Sequence, residues 1–341
     1  MKMLTKTLLA SSLWLIWATT AQAAGELNIY AWPESLAPDL IKKFEKEADV
    51  KVNIDAFSSN EDALTKLQAG DANYDLITPS QHFLKIMVET DLLLDIGANQ
   101  LEAFKQVDDQ WKKQWWDPEN KYSIPMAYGT ASFAVNRDLY KGPIDSWKVY
   151  FEPPEELKGK IASLGTPDEV VSAAQLYLGV EYCTENSDDM KKVYELLKAQ
   201  KPAVAAYSSD NIENRLGGGE VAMHFWWDGT VLRLRDTGKN VEYATPKEGL
   251  VGWLDSYAVP KGAKNVDNAK AFINFISRVE NATEEYNFYS HSSPVKVDPA
   301  KAKYNKDNAP ELFPTVSIKM NQSCSPKAQE LVNKVWTQLL Q

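Results

Sequence analysis

Apolar and polar residues alternate over Glu26–Ala31, which predicts a short strand, and Trp32-Pro-Glu-Ser35 breaks it. The apolar positions then fall at helical spacing: Ala37–Ala48 places Leu40, Ile41 and Phe44 on one face. Val50–Ala56 returns to a strand pattern. Ser59-Asn-Glu-Asp62 resembles a capping box, so a helix is expected to continue over Ala63–Gln68. Tyr74–Thr78 reads as a third strand, stopped by Pro79-Ser80. This strand–helix alternation predicts an α/β fold, a parallel sheet with helices on both faces. Ligands of such sheets sit beyond the carboxyl ends of the strands. Trp32–Glu34 and Ser80–His82 both fall there.

Further along, Tyr122–Asn136 predicts a long strand with a break at Gly129, placed to cross from one domain to another. Lys160–Leu164 is a short strand. Thr166 or Asp168 would cap a helix over Val170–Gly179, with Pro167 in its first turn and Glu169 near its positive end. A helix is expected over Asp188–Ala199, a strand over Ala203–Tyr207 and a helix over Asn211–Leu216, stopped by Gly217-Gly-Gly219. Val221–Trp227 is a buried strand, Arg233–Gly238 helix or turn, and Val241–Ala244 a strand. Ala269–Val279 and Lys327–Leu340 carry helical patterns, whereas Tyr286–Ser293 fits neither period.

One strand pattern carries candidate chemistry. In Val251-Gly-Trp-Leu-Asp-Ser-Tyr-Ala-Val-Pro260, Trp253 and Asp255 lie two apart and project from one face. An indole beside a carboxylate suits an organic cation, through the ring's electron-rich face and the full charge. The plainer reading is a buried tryptophan and a solvated aspartate at a strand edge.

Composition narrows the class. A basic start, an apolar middle and Ala21-Gln22-Ala23 form a secretory leader with cleavage expected after Ala23. Losing Lys2 and Lys6 makes the formal charge of −10 two units more negative. Such a chain is a poor partner for nucleic acid or anionic lipid. Cys183 and Cys324, alone in an oxidising compartment, fit a disulfide, with two buried free thiols as the alternative. No phosphate loop, nucleophile elbow or metal-ligand spacing occurs. His82, His224 and His291 are far apart, and His224 alternates within an apolar strand as a core residue would. Asn281-Ala-Thr283 matches a glycosylation acceptor pattern. Neither an enzyme constellation nor a cofactor or metal site is indicated.

Several phrases, weak singly, are specific in their order and spacing: Ile29-Tyr-Ala-Trp-Pro-Glu34, Phe44-Glu-Lys-Glu47, Ser59-Asn-Glu61, Tyr74-Asp-Leu-Ile-Thr-Pro-Ser80, Tyr122-Ser-Ile-Pro125, Gly219-Glu-Val221, Pro246-Lys-Glu-Gly249 and Trp253–Pro260. Through them nearly the whole mature chain resembles the periplasmic spermidine/putrescine-binding proteins of polyamine ABC transporters. The resemblance implies a two-domain periplasmic-binding-protein fold of type II kind, with a ligand cleft between hinged domains. Domain 1 would comprise 24–130 and 250–296, domain 2 131–249 and 297–341.

By motif, Trp32 and Glu34 would face one end of the ligand with Ser80 and His82 beside them. Glu169 would come from the second domain, and Trp227 would supply a stacking wall. Trp253 and Asp255 would hold the middle or one end, while Tyr289 and Gln322 would complete the site. The chain departs from the family pattern where Gly165 or Thr166 replaces an aspartate, Thr230 replaces a second acid, and Pro33 replaces a hydroxyl residue beside Trp32. The resemblance implies a monomeric periplasmic protein that delivers polyamines to a membrane permease. A second reading keeps the cleft and makes the client a membrane-bound sensor. A third, an exported enzyme on a two-domain scaffold, has no constellation to support it.

Overall fold

The computed structural model describes residues 25–70 and 73–341. The expected leader over 1–23 and its cleavage point after Ala23 lie outside the described residues.

The first alternating segment becomes β1 (Gly25–Ala31), with Leu27 and Ile29 fully buried. α1 (Pro38–Ala48) starts on a proline, which its first turn tolerates, and buries Leu40 and Phe44. β2 (Val50–Ala56) runs parallel to β1. α2 (Asn60–Gln68) follows Ser59, whose hydroxyl accepts the Asp62 N–H. β3 is only Leu76–Ile77, shorter than the expected run. There the Asp75 carboxylate turns inward and accepts the backbone N–H groups of Asn28, Lys264 and Asn265. α3 (Gln81–Glu89) follows Ser80.

β4 (Ser123–Asn136) is continuous through Gly129; its irregularity falls between Pro125 and Ala127. Gly129 is there for space, since a Cβ would come within 2.7 Å of both Asp228 Oδ1 and Trp253 Cζ2. Next come α4 (Lys148–Phe151), β5 (Ile161–Ser163), α5 (Pro167–Leu178), α6 (Ser187–Gln200), β6 (Val204–Tyr207) and α7 (Ile212–Gly217). β7 (Met223–Trp227) runs straight into α8 (Asp228–Asp236), so the segment expected only from Arg233 is helical five residues earlier. β8 (Val241–Tyr243), β9 (Leu250–Ala258), α9 (Val266–Ile276), α10 (Val279–Tyr289), β10 (Ile318–Met320) and α11 (Pro326–Leu340) complete the order. The aperiodic Tyr286–Ser293 is the end of α10 and the turn after it.

The strands form one sheet in the order β2-β1-β3-β9-β4-β7-β5-β6, with β10 on β9 and β8 on β4. The β1–β2, β1–β3, β5–β6 and β5–β7 pairs are parallel. β9 is antiparallel to β3 and β4, and β4 to β7, so the sheet is mixed rather than parallel throughout. The reason is topological: β4 carries the chain out of the first half and β9 carries it back. Neither Trp253 nor Asp255 is at a sheet edge, because β9 is flanked by β3, β4 and β10.

Of the hydrophobic cores of the molecule, the two largest share β4 and β9. One contains Leu27, Ile29, Phe44, Ala127, Trp253 and Phe272. The other contains Ala131, Phe133, Trp147, Phe225, Val251 and Val335. Membership changes between Ala127 and Ala131 on β4 and between Val251 and Trp253 on β9, where Gly129 pairs with Trp253 and Thr130 with Gly252.

Cys183 and Cys324 are joined by a disulfide across 141 positions, tying the segment before α11 to the loop before α6. Asn281 is fully buried, accepting from Lys43 Nζ and donating to the Phe275 carbonyl, so its acceptor pattern is not presented to solvent. His224 is a core residue as expected, bonded to Arg215 and to the Phe225 carbonyl. Among the described residues, no helix is long and apolar enough to cross a membrane.

Candidate ligand-binding cleft

Where the two cores meet, a cavity of about 280 Å³ opens. Trp32 and Glu34 reach it from the loop beyond β1, and Ser80 and His82 from the loop beyond β3 and the first turn of α3. Glu169 comes from the first turn of α5, Trp227 from the end of β7, Trp253 and Asp255 from β9, and Tyr289 from the end of α10. Nine of the ten predicted site residues therefore line one cavity. Gln322 does not: it is exposed, its carbonyl near the two sulfurs of the disulfide, and its neighbour Asn321 lines the cavity instead. Strand exit explains this. Asn321 follows β10 directly and donates its N–H to the Gly252 carbonyl, which turns its side chain inward.

The electrostatics centre on Asp255. It is buried, and Oδ1 accepts the Ser80 hydroxyl at 2.7 Å. Asn60 clamps Ser80 in turn, accepting its N–H at 3.0 Å and donating to its oxygen at 3.1 Å. The Trp32 indole N–H approaches Asp255 without closing a well-aligned bond. Burial pushes the Asp255 carboxyl up to about 7, only partly countered by Ser80 and Trp32. Glu169 is also raised, by desolvation and then by the neighbouring Asp168 charge. Its carboxylate accepts from Thr166 Oγ1 at 3.3 Å and Trp227 Nε1 at 3.4 Å. Among the described residues neither Asp255 nor Glu169 has a lysine or arginine within 4.0 Å.

The walls are aromatic. Trp32 packs on Phe57 with ring centroids 4.4 Å apart, and Trp253 packs edge-on against His291 at 4.9 Å. Buried polar atoms of the lining without a protein partner are Trp32 Nε1, Trp253 Nε1, His82 Nδ1 and Asn321 Oδ1. Glu34 is exposed at the rim, with backbone φ of 54° in the left-handed region that residues other than glycine seldom adopt. Of the departing positions, Pro33 and Thr230 line the cavity while Gly165 and Thr166 do not. The Thr230 hydroxyl is turned back onto the Trp227 carbonyl at 2.7 Å.

Other contributors were invisible to spacing arguments. His291 is buried behind Trp253 and donates from Nδ1 to Asp228 Oδ1 at 2.9 Å; burial holds the imidazole neutral by lowering its pKa against the pull of Asp228. Asp228 also accepts from Thr130 N–H and Oγ1 and from Gly229 N–H. His82 Nε2 faces Asp168 Oδ2 from the other half at 3.2 Å. No local signal marks these pairs, which join residues 63 and 86 positions apart.

A two-cored α/β chain with an aromatic, acid-lined cavity at the seam has the architecture of a solute-binding protein. Residues 39–313 match the model for bacterial extracellular solute-binding proteins, and the chain belongs to that family. It is 30% identical to the putrescine-binding periplasmic protein SpuD of Pseudomonas aeruginosa, over 99% of both chains. It is 32% identical to a spermidine/putrescine-binding periplasmic protein of Salmonella typhimurium, over 86% of this chain and 85% of the other. A putative spermidine/putrescine ABC transporter protein of Listeria monocytogenes superposes with a TM-score of 0.84 at 27% identity, covering 92% of this chain and 98% of the other.

Proposed function

We propose that the protein captures a polyamine-like cation of the putrescine or spermidine class in this cavity, in the periplasm, and hands it to the permease of an ABC transporter. The two halves, 24–130 with 250–296 and 131–249 with 297–341, close on the ligand about the seam where β4 and β9 cross. The carrying observation is Asp255, a buried carboxylate with a hydroxyl partner, aromatic neighbours and, among the described residues, no lysine or arginine within 4.0 Å. A buried anion costs several kcal/mol unless paired, so the site is built for a cation from outside. Glu169 receives a second ammonium, Glu34 polarises the rim, His82 lines the interior beside Ser80, and Trp32, Trp227, Trp253 and Tyr289 cover the methylenes. Asn321 takes the role expected of Gln322. The protein acts as a monomer and does no chemistry on its ligand. The names of the relatives support the ligand class, and nothing favours a sensor client over a permease.

The test is calorimetry with putrescine and spermidine on the parent, Trp253→Ala and Asp255→Asn. Each substitution is expected to weaken binding roughly tenfold or more: Asp255→Asn loses a charge-assisted hydrogen bond of about 1.5–3 kcal/mol, and Trp253→Ala loses an aromatic wall whose cation–π and apolar contacts contribute about 1–3 kcal/mol. A variant that folds and binds both amines like the parent would refute the assignment.

A further inference from the structure

Five arginines occur in the chain, and all lie among the described residues. Four have a carboxylate within 4.0 Å: Arg137 with Glu242, Arg215 with Glu220, Arg235 with Glu311 and Arg278 with Glu47. Arg233 has none among the described residues, and it is the arginine that lines the cavity. Its position is fixed. It projects from α8, Nη1 donates to the Tyr289 carbonyl at 2.7 Å, and the guanidinium lies 6.0 Å from the centroid of the Tyr289 ring. One nitrogen of the fork is thus anchored, and no carboxylate of the described residues lies within 4.0 Å of it. Arg233 is the one arginine among a lining that otherwise carries the acids Glu34, Glu169, Asp210, Glu213 and Asp255.

A guanidinium beside a ligand path repels an ammonium and pairs with a carboxylate through two parallel hydrogen bonds. Thr230, one turn before it on α8, presents no acid to cancel that charge. We infer that Arg233 sets ligand charge at its end of the cavity, so that the preferred ligand is an amine with an ammonium near Asp255 and a carboxylate at the far end. The inference rests on the cation-binding reading of the cleft: it keeps the ammonium at Asp255 and replaces the second ammonium by a carboxylate.

Putrescine and 4-aminobutyrate have similar length and differ in charge at one end. Both are titrated by calorimetry into the parent, Arg233→Gln and Arg233→Lys at one ionic strength, with folding checked by thermal unfolding. The parent is expected to bind 4-aminobutyrate at least as tightly as putrescine. Arg233→Gln should move the affinity ratio roughly tenfold or more toward putrescine, and Arg233→Lys by less. An unchanged ratio in Arg233→Gln overturns the inference, as does a parent that binds putrescine and shows no heat with 4-aminobutyrate. If Arg233→Gln does not fold, a ratio in Arg233→Lys equal to the parent's does the same, because a point charge cannot reproduce the fork. A parent that binds neither probe removes the cation reading itself and is thereby distinguished from failure of the arginine assignment.

Discussion

His82 Nε2 and Asp168 Oδ2 meet at 3.2 Å across the cleft, one from the first turn of α3 and the other from the first turn of α5. The pair joins elements that pack on two different cores, so on the hinged reading proposed above it favours their approach around the ligand. Burial lowers the His82 pKa, but the Asp168 hydrogen bond and charge, with Glu169 and Glu61 facing the same ring, outweigh it and leave it above the ordinary value. The pair's contribution is therefore complete below about pH 6.5 and is lost as pH rises through the raised value. Asp168→Asn is expected to weaken ligand binding about fivefold near pH 6, equivalent to ~1 kcal/mol, with a smaller loss near pH 9. Tryptophan fluorescence titrations at the two pH values check this. A loss of equal size at both would show that the His82 charge is not involved.

Asp255 gives a second pH dependence. Its carboxyl is raised from 3.8 to about 7 by burial, so between those values the folded protein holds a proton that the unfolded chain has released. The ligand-free protein consequently loses stability as pH rises through that window and levels off above it. A bound ammonium offsets the cost of ionising Asp255. Saturating putrescine should raise the unfolding midpoint more near pH 8 than near pH 5.5, and Asp255→Asn should abolish the difference. Glu285, raised to about 8 by burial away from the cavity lining, lowers ligand-free stability in the same direction but is present in both forms. An identical midpoint shift at both pH values in the parent would mean that Asp255 does not face the ligand's charge.

The Cys183–Cys324 bond closes a long loop and is expected to contribute about 3–5 kcal/mol by the chain-entropy model. Denatured, unreduced protein should yield no free thiol on titration, and reduction should lower the thermal midpoint. Because both cysteines lie outside the cavity lining, the reduced, folded protein is expected to keep its amine affinity. Two titratable thiols would show that the bond does not form.

What the sequence determined by itself is the local part. Alternation and helical spacing placed most elements, and turn residues such as Pro79 and Gly217–Gly219 marked their ends. The i, i+2 relation put Trp253 and Asp255 on one face, because a strand's side-chain period is two whatever surrounds it. Motif order, read as a family resemblance, supplied the remaining candidates, and the fold gathers all but Gln322. Tertiary structure decided what depends on partners distant in sequence. β4 and β9 became antiparallel neighbours because the chain must cross the seam and return. Asp255 shifted to about 7 because its surroundings exclude water, a property no motif contains. Asp168 became the partner of His82, Asp228 that of His291, and Arg233 was left facing the cavity without an acid, since charge pairing acts through space over a few ångströms and leaves no periodicity along the chain.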